Sequence, residues 1–365
     1  MKTEFLTEVS SFNPKLNELL APFTTWKIGG PAEILIELDN SQNLISIISK
    51  AIKHSIPYTI LGNGSNILIS DNGIAGIVVI NHSKNIELLE ANTNIYTISD
   101  VEEGQFNPYI PPRHVENSGQ EEYYSFSDLD FEETGERVKV KFDSGVTLPY
   151  AIAWCLKNNL TGLQWFAGIP GTVGGALYNN IHGGTRHFSD NFYSATVFDP
   201  ATSKTTQYFF KDFNFGYDQS ILRENRGLVV VDVTLSLYRG DAEKAKYVAN
   251  EWTKRKRIQP RLSCGSVFQC ITLEEQKTLD YPTPSAGYIT DKILNMKGKI
   301  QGSVWISDKH ANFIENLGGG KASDVLILMH EIKKKTKEKI GINLIPEINL
   351  LGFSHDEVGG LYASS

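Results

Sequence analysis

Cysteine is scarce in this 365-residue chain: three residues, Cys155, Cys264 and Cys270, with no C-x-x-C pair. Three thiols cannot all pair within one chain, so a disulfide framework is excluded and a reducing compartment is expected. Long apolar runs are also missing. No stretch approaches the ~20 residues that span a bilayer, and Met1 to Ser10, with Lys2, Glu4 and Glu8, does not read as a secretory leader. A cytoplasmic location without membrane attachment is the expectation. Nor is there a cationic excess: the net charge is −7, which disfavours a general nucleic-acid binder. Two phosphate-binding patterns fail as well. After Gly62-Asn63-Gly64 the dinucleotide fingerprint needs a glycine where Ile67 stands, and Gly318 to Lys321 lacks the upstream glycine of a Walker A loop, the position being Glu315.

The charge is unevenly spread. Residues 84–136 hold 13 Asp/Glu against Lys84 and Arg113, leaving about +4 for the rest of the chain. That stretch, with Pro111-Pro112 and Tyr123-Tyr124, interrupts an otherwise regular alternation and is read as an insertion or extended loop. Around it, Ala32–Leu38 and Ile77–Ile80 alternate or run apolar as strands. Ser41–Lys53 places Leu44, Ile47, Ile48 and Ala51 on one helical face. Leu148–Leu160 and Asp241–Lys256 read as helices, and Leu228–Leu237 as a strong strand. Ser323–Lys339 is an amphipathic helix with Ser323 as N-cap, Gly341 as its end, and Lys333 to Lys339 complementing the helix dipole. Short strands alternating with helices over this length give an α+β protein of several domains.

Two glycine-rich segments stand out. Gly62-Asn63-Gly64-Ser65-Asn66 lies between two short strands, and Gly168-Ile169-Pro170-Gly171-Thr172-Val173-Gly174-Gly175-Ala176 carries four glycines and a rigid proline. Glycine allows positive φ and close backbone approach, so successive N–H groups can converge on an anion. Taken singly, the first has a hairpin turn as its rival and the second a purely structural loop. Further along lie Gly265-Ser266-Val267-Phe268, Ser307-Asp308-Lys309-His310-Ala311-Asn312 and Pro346-Glu347-Ile348-Asn349.

In order and together, these segments closely resemble the UDP-N-acetylenolpyruvoylglucosamine reductases, the MurB family. The resemblance begins at Thr24-Thr25-Trp26-Lys27-Ile28-Gly29-Gly30-Pro31-Ala32. It runs through LGNGSNILISDNG (61–73), GIPGTVGGALYNN (168–180), Phe215-Gly216-Tyr217 with Ser220, GSVF (265–268), SAGYITDKILNMKG (285–298), SDKHANFIEN (307–316) and PEINLLG (346–352).

The resemblance implies an oxidase-like (PCMH-type) two-lobed FAD-binding region plus a smaller α+β substrate-binding domain. Lobe 1 would be 1–80, with 345–365 returning near the active site. Lobe 2 would be 81–222, carrying the acidic insert at about 84–136, and the substrate domain would be 223–344. It further implies non-covalent FAD, reduced by NADPH, and reduction of an enolpyruvyl ether on UDP-N-acetylglucosamine. No metal is implied, and the partners are small molecules.

By the same resemblance Ser266 is the proton donor and Glu347 the active-site carboxylate that stabilises and orients the enolate. Tyr217, Gln259, Lys309, His310 and Asn312 fall in the substrate-binding set, His310 being read as fixing local structure rather than relaying protons. Gly62, Asn63, Gly64, Ser65 and Asn66, with Gly168, Ile169, Pro170, Gly171, Thr172, Gly174, Gly175 and Ala176, would hold the cofactor.

Two departures bear on the substrate. The family's Tyr-Arg-x-Ser is Tyr217-Asp218-Gln219-Ser220 here, an acid in place of a cation. Arg223, Arg186 and Lys309 are candidate substitutes. The family's Lys-Asn after GSxF is Gln269-Cys270. A same-fold FAD oxidoreductase with another substrate, and a weakened flavin-binding regulator, stay open as alternatives. His182, in Asn179-Asn180-Ile181-His182, stands where some flavin oxidases of this fold attach FAD covalently.

Overall fold

The computed structural model describes residues 2–89, 129–131, 133–184, 186–257 and 259–362. Most of the acidic stretch therefore lies outside the described residues. The chain divides into two compact units: Met1–Pro14, Ile36–Gly62 and Val79–Lys256 form one, and Lys15–Leu35, Asn63–Val78 and Arg257–Ser365 the other.

The first unit is organised on an antiparallel sheet whose described strands run in the order Lys204–Phe209, Phe192–Asp199, Val229–Tyr238, Arg137–Asp143, Ile86–Leu89. Strand Arg137–Asp143 shows why it forms. Val138, Val140 and Phe142 turn inward while Lys139 and Lys141 turn outward, the period-2 pattern of a half-buried strand. The central strand Val229–Tyr238 is buried along nearly its whole length, because helices Gln42–Lys53 and Val173–Asn179 both pack on it. Trp165, Phe166, Phe188 and Phe142 complete that core, each almost fully buried, worth ~1.5–3 kcal/mol apiece in area removed from water.

The expectation of a loop over 84–136 needs correcting at its start. Ile86–Leu89 is the edge strand of this sheet, with Ile86 opposite Phe142 and Leu88 opposite Val140. Its cross-strand partner supplies the order that a sequence of mixed Ile, Glu and Leu does not announce. At the far end the chain is tied back firmly. Leu129 is buried, Asp130 meets Arg186 at 3.4 Å, and the Glu133 carboxylate accepts from Thr161 and Gln164.

In the second unit, Trp26 is fully buried and its Nε1 donates to the Ile314 carbonyl at 2.7 Å. Asn316 Nδ2 returns a bond to the Trp26 carbonyl at 2.9 Å. The Thr-Thr-Trp motif is thus a core anchor for strand Ile314–Asn316, which pairs with Val304–Ile306. Ile67–Ile69 runs parallel to Asn349–Leu351.

The long helix spans Ala322–Ile340 and ends at Gly341 in the left-handed region, φ 76°. Its start differs from expectation. Ser323 does not cap; the carboxylate of Asp71 does, accepting from Ala322 N at 2.8 Å, Ser323 N at 3.0 Å and Ser323 Oγ at 2.8 Å. A cap delivered from 251 residues away leaves no local pattern. Asp71→Ala is expected to lower stability by roughly 1–2 kcal/mol, with Asp71→Asn losing less, as read from urea unfolding midpoints. Lys333 also corrects the dipole reading. It is buried, and its Nζ donates to the carbonyls of Leu344 at 2.7 Å and Leu361 at 2.8 Å, pinning the chain that follows the helix. Among the described residues, no helix is long and apolar enough to cross a membrane.

Candidate active site

In the first unit the 168–176 loop runs into helix Val173–Asn179, with Thr172 as N-cap and its Oγ1 accepting from Gly175 N at 3.2 Å. The loop is stitched to the segment before helix Leu148–Lys157. Val173 N donates to Val146 O, Gly174 N to Ser144 O and Leu148 N to Gly171 O, all within 2.8–2.9 Å. These bonds take up amides that the glycine count alone would offer to a ligand.

The glycines then separate by what surrounds them. A Cβ on Gly174 would lie 2.8 Å from Ser144 Cβ and 2.9 Å from Ser144 O, and one on Gly62 would lie 2.4 Å from Thr172 Oγ1. Those two are required by packing, and the second brings the end of strand Tyr58–Leu61 against the loop. A Cβ on Gly175 would meet Thr172 Oγ1 at 3.3 Å and nothing else within 4 Å. That open face lets a ligand approach the backbone. Gly168, at φ 79°, abuts Lys256, whose Cδ would be 3.2 Å from an added Cβ. Burial pushes the Lys256 ammonium down to about 7, and it lies over the Trp252 ring at 4.9 Å. An anion at this loop would hold it protonated. The open backbone at Gly175 fits the close approach of a diphosphate.

The second unit gathers three of the sequence motifs on one backbone network. Val267 N donates to Asn312 O at 2.9 Å, and Glu347 N donates to Val267 O at 2.9 Å. Phe268 bridges Pro346 antiparallel. The Asn312 side chain clamps Phe268 from both sides, Oδ1 accepting from its N at 3.1 Å and Nδ2 donating to its O at 2.8 Å. Ser266 therefore sits between buried, doubly held Val267 and Gly265, whose φ of 87° only glycine adopts freely. Asn66 joins the group. Its carbonyl accepts from Asn349 N at 3.0 Å and its Nδ2 donates to Glu347 O at 3.4 Å. Burial, and after it the charge of Glu347, push the Cys264 thiol well above its usual range.

His310 supports this turn. Its Nδ1 accepts from Asn312 N at 3.2 Å and its ring packs on Phe313. Burial pushes the imidazole down to about 4, so it is neutral at pH 7. Lys309 is exposed and Gln259 half-buried.

Back in the first unit, Tyr217 and Asp218 lie in a tight turn closed by mutual Gly216–Gln219 backbone bonds. Asn180 Nδ2 donates to Gly216 O at 2.9 Å and Ser220 Oγ to Tyr178 O at 2.7 Å, seating the turn on the end of helix Val173–Asn179. Two of the candidate replacement cations are engaged elsewhere: Arg186 with Asp130, and Arg223 with Asn179 Oδ1 at 3.1 Å. Asp218 instead faces His182, Oδ1 to Nδ1 at 3.5 Å. Sequence reading missed this pairing, together with Lys256 and the roles of Asn349 and Ser144. Only the Lys/Arg run before Gln259 offered a signal for Lys256.

Comparison with known proteins agrees with this geometry. The FAD binding domain family matches residues 126–207. An α+β fold with a glycine cradle and that domain defines a FAD-carrying oxidoreductase. The C-terminal domain of UDP-N-acetylenolpyruvoylglucosamine reductase matches residues 259–351. The reductase of Prochlorococcus marinus (strain NATL2A) is 30% identical over 349 residues, covering 94% of this chain and 100% of the relative. That of Clostridium novyi (strain NT) is 28% identical over 347 residues, 93% and 92% of the two chains. The crystal structure of UDP-N-acetylenolpyruvylglucosamine reductase from Thermus caldophilus superposes with a TM-score of 0.63 at 25% identity, covering 93% of this chain and 98% of that one. The chain belongs to the UDP-N-acetylenolpyruvoylglucosamine reductase family.

Proposed function

We propose that this chain reduces the enolpyruvyl ether of UDP-N-acetylglucosamine to UDP-N-acetylmuramate, a peptidoglycan precursor, with NADPH as electron donor. The observation that carries the reading is the Val267–Glu347 backbone bond, 2.9 Å, which sets Ser266 and Glu347 on adjoining backbone. Bound FAD would supply hydride from its N5 position. The chain's own task is the proton and the charge. Addition of hydride to the terminal vinyl carbon leaves enolate character on the carboxyl side, and the Ser266 hydroxyl delivers a proton to the adjacent carbon. Glu347 orients and stabilises that enolate when it carries a proton. Asn312 acts through its clamp on Phe268, and Tyr217, Gln259 and Lys309 serve substrate binding.

Asn63, Gly64, Ser65 and Asn66, with Gly62 and the loop Gly168, Ile169, Pro170, Gly171, Thr172, Gly174, Gly175 and Ala176, hold the diphosphate of non-covalent FAD. We read 1–80 and 81–222 as the two FAD-binding lobes and 223–344 as the substrate domain. The absence of a disulfide among Cys155, Cys264 and Cys270, all of them described residues, favours a reducing, cytoplasmic setting. A second reading, another substrate on the same fold, draws on Asp218 and Gln269. Purified yellow protein mixed anaerobically with NADPH should bleach, and adding the enolpyruvyl substrate should restore the colour. Bleaching without that recovery sinks the substrate assignment, and no bleaching sinks the redox one.

A further inference from the structure

Burial at position 333 does not suit a lysine. Lys334, Lys335, Lys337 and Lys339, on the same helix, are exposed, whereas Lys333 is 7% exposed. Taking an ammonium out of water is costly, and buried charges are ordinarily matched by an opposite one. Here Nζ donates instead to two main-chain carbonyls, Leu344 O at 2.7 Å and Leu361 O at 2.8 Å. Burial, and after it the charge of Lys337, holds the ammonium below its usual range. Lysine carries three donors and no acceptor, so a single group can hold both carbonyls at once.

The two acceptors bracket Glu347. Leu344 and Leu361 are 2% and 0% exposed, so their carbonyls cannot turn to water without movement of the chain. The ammonium therefore ties residues 344–361 into a closed loop on the helix, with Glu347 just inside the first anchor. Two further bonds fasten the helix His355–Tyr362 at the other end of that loop. His330 Nε2 donates to Glu357 O at 2.9 Å, and Tyr362 Oη donates to Ile348 O at 3.2 Å, on the residue next to Glu347.

The backbone around Glu347 is thus held from two directions. From the GSVF turn, Val267 O accepts from Glu347 N and Gln269 N donates to Ile345 O, each at 2.9 Å. From the long helix and the C-terminal helix, Lys333 and Tyr362 hold the carbonyls of Leu344 and Ile348.

We propose that Lys333 is a positioning residue for Glu347, clamping the segment that carries this carboxylate. It acts through the backbone at Leu344 and Leu361, and the helix His355–Tyr362 belongs to the same frame. This rests on the function proposed above, in which Glu347 steadies the enolate.

Lys333→Met keeps an unbranched apolar stem in the buried space and removes both bonds. In the holoenzyme, bleaching by NADPH should stay within about threefold of the unmodified chain. Single-turnover reoxidation by the enolpyruvyl substrate should slow by roughly 10–100-fold, the effect of a misplacement of about 1 Å. A double-mutant cycle separates positioning from general loosening. In a Glu347→Gln background, Lys333→Met should slow reoxidation by less than about threefold, because the group it positions is already gone. An equal loss in both backgrounds, or no loss with Glu347 in place, overturns the inference. Should Lys333→Met fail to fold, Tyr362→Phe runs the same cycle. Its ring is 44% exposed, and the substitution removes the bond to Ile348 O. It should slow reoxidation by about 2–5-fold with Glu347 present, and an equal loss in the Glu347→Gln background, or none with Glu347 present, overturns the inference in the same way. Glu347→Gln reoxidising as fast as the unmodified chain, or unmodified holoenzyme that bleaches but is never reoxidised, overturns instead the function on which it rests.

Discussion

Ser266→Ala should leave bleaching of the flavin by NADPH within about threefold of the unmodified chain while slowing substrate-driven reoxidation by roughly 10²–10⁴-fold, the range a positioned proton donor contributes. The two half-reactions divide cleanly because only the second needs a proton on carbon. The substitution is structurally mild. Val267 is held by Asn312 O and Glu347 N through its backbone, and Gly265, with nothing within 4 Å of an added Cβ, has slack beside it. A lost hydroxyl at 266 disturbs none of these bonds.

The neighbouring histidine is not a rival donor. With His310 held down to about 4 by burial, its imidazole is neutral from about pH 5 upward, and its Nδ1 already accepts from Asn312 N. Rapid mixing with single turnover would measure both phases. Equal reoxidation rates in Ser266→Ala and the unmodified chain would remove Ser266 from the chemistry.

What the sequence disclosed, and what it hid, divides by the range of the interaction. The segments that hold Ser266, Glu347 and the glycine runs stand out because each is a short ordered string of residue types. The strand at Arg137–Asp143 and the helix at Gln42–Lys53 are legible because burial imposes a period on contiguous residues. Asp71 was unreadable as a helix cap since nothing near Ala322 in the sequence marks it. Lys333 reads as a solvated lysine among lysines until its two carbonyl acceptors, 11 and 28 residues away, are seen. Ile86–Leu89 is a strand only because Arg137–Asp143 lies beside it.

The pairing of Asp218 with His182 belongs to the same group. The motif comparison marked Asp218 as a substitution, and only the turn geometry showed which side chain answers it. Composition gave the opposite impression at the glycine-rich loop. Four glycines suggested four amides free for an anion, whereas the amides of Gly174 and Gly175 bond to Ser144 O and Thr172 Oγ1.

That distinction makes the cofactor loop testable one residue at a time. Gly174→Ala would force a methyl to within 2.8–2.9 Å of Ser144 Cβ and its carbonyl oxygen. One contact is backbone, which cannot swing aside, so the strain should cost about 1–3 kcal/mol or more and loosen the first unit before any question of cofactor arises. Gly62→Ala meets Thr172 Oγ1 at 2.4 Å and should fail in the same way. Gly175→Ala is different. Its Cβ meets a single oxygen at 3.3 Å, and alanine within a helix is favoured over glycine by ~1 kcal/mol. The apoprotein should be as stable as the unmodified one or slightly more so.

If the open face of Gly175 is where the diphosphate lies against the backbone, the same methyl should weaken FAD by ~10-fold or more, since the ligand must retreat from backbone it would otherwise approach closely. The measurement is paired: urea unfolding of the apoprotein, and flavin retention on dilution of the holoprotein. Loss of FAD with stability preserved assigns the loop to the cofactor. Unchanged FAD affinity in Gly175→Ala would mean that the glycines at 62, 174 and 175 all serve the fold, and that the cofactor's phosphates are held elsewhere.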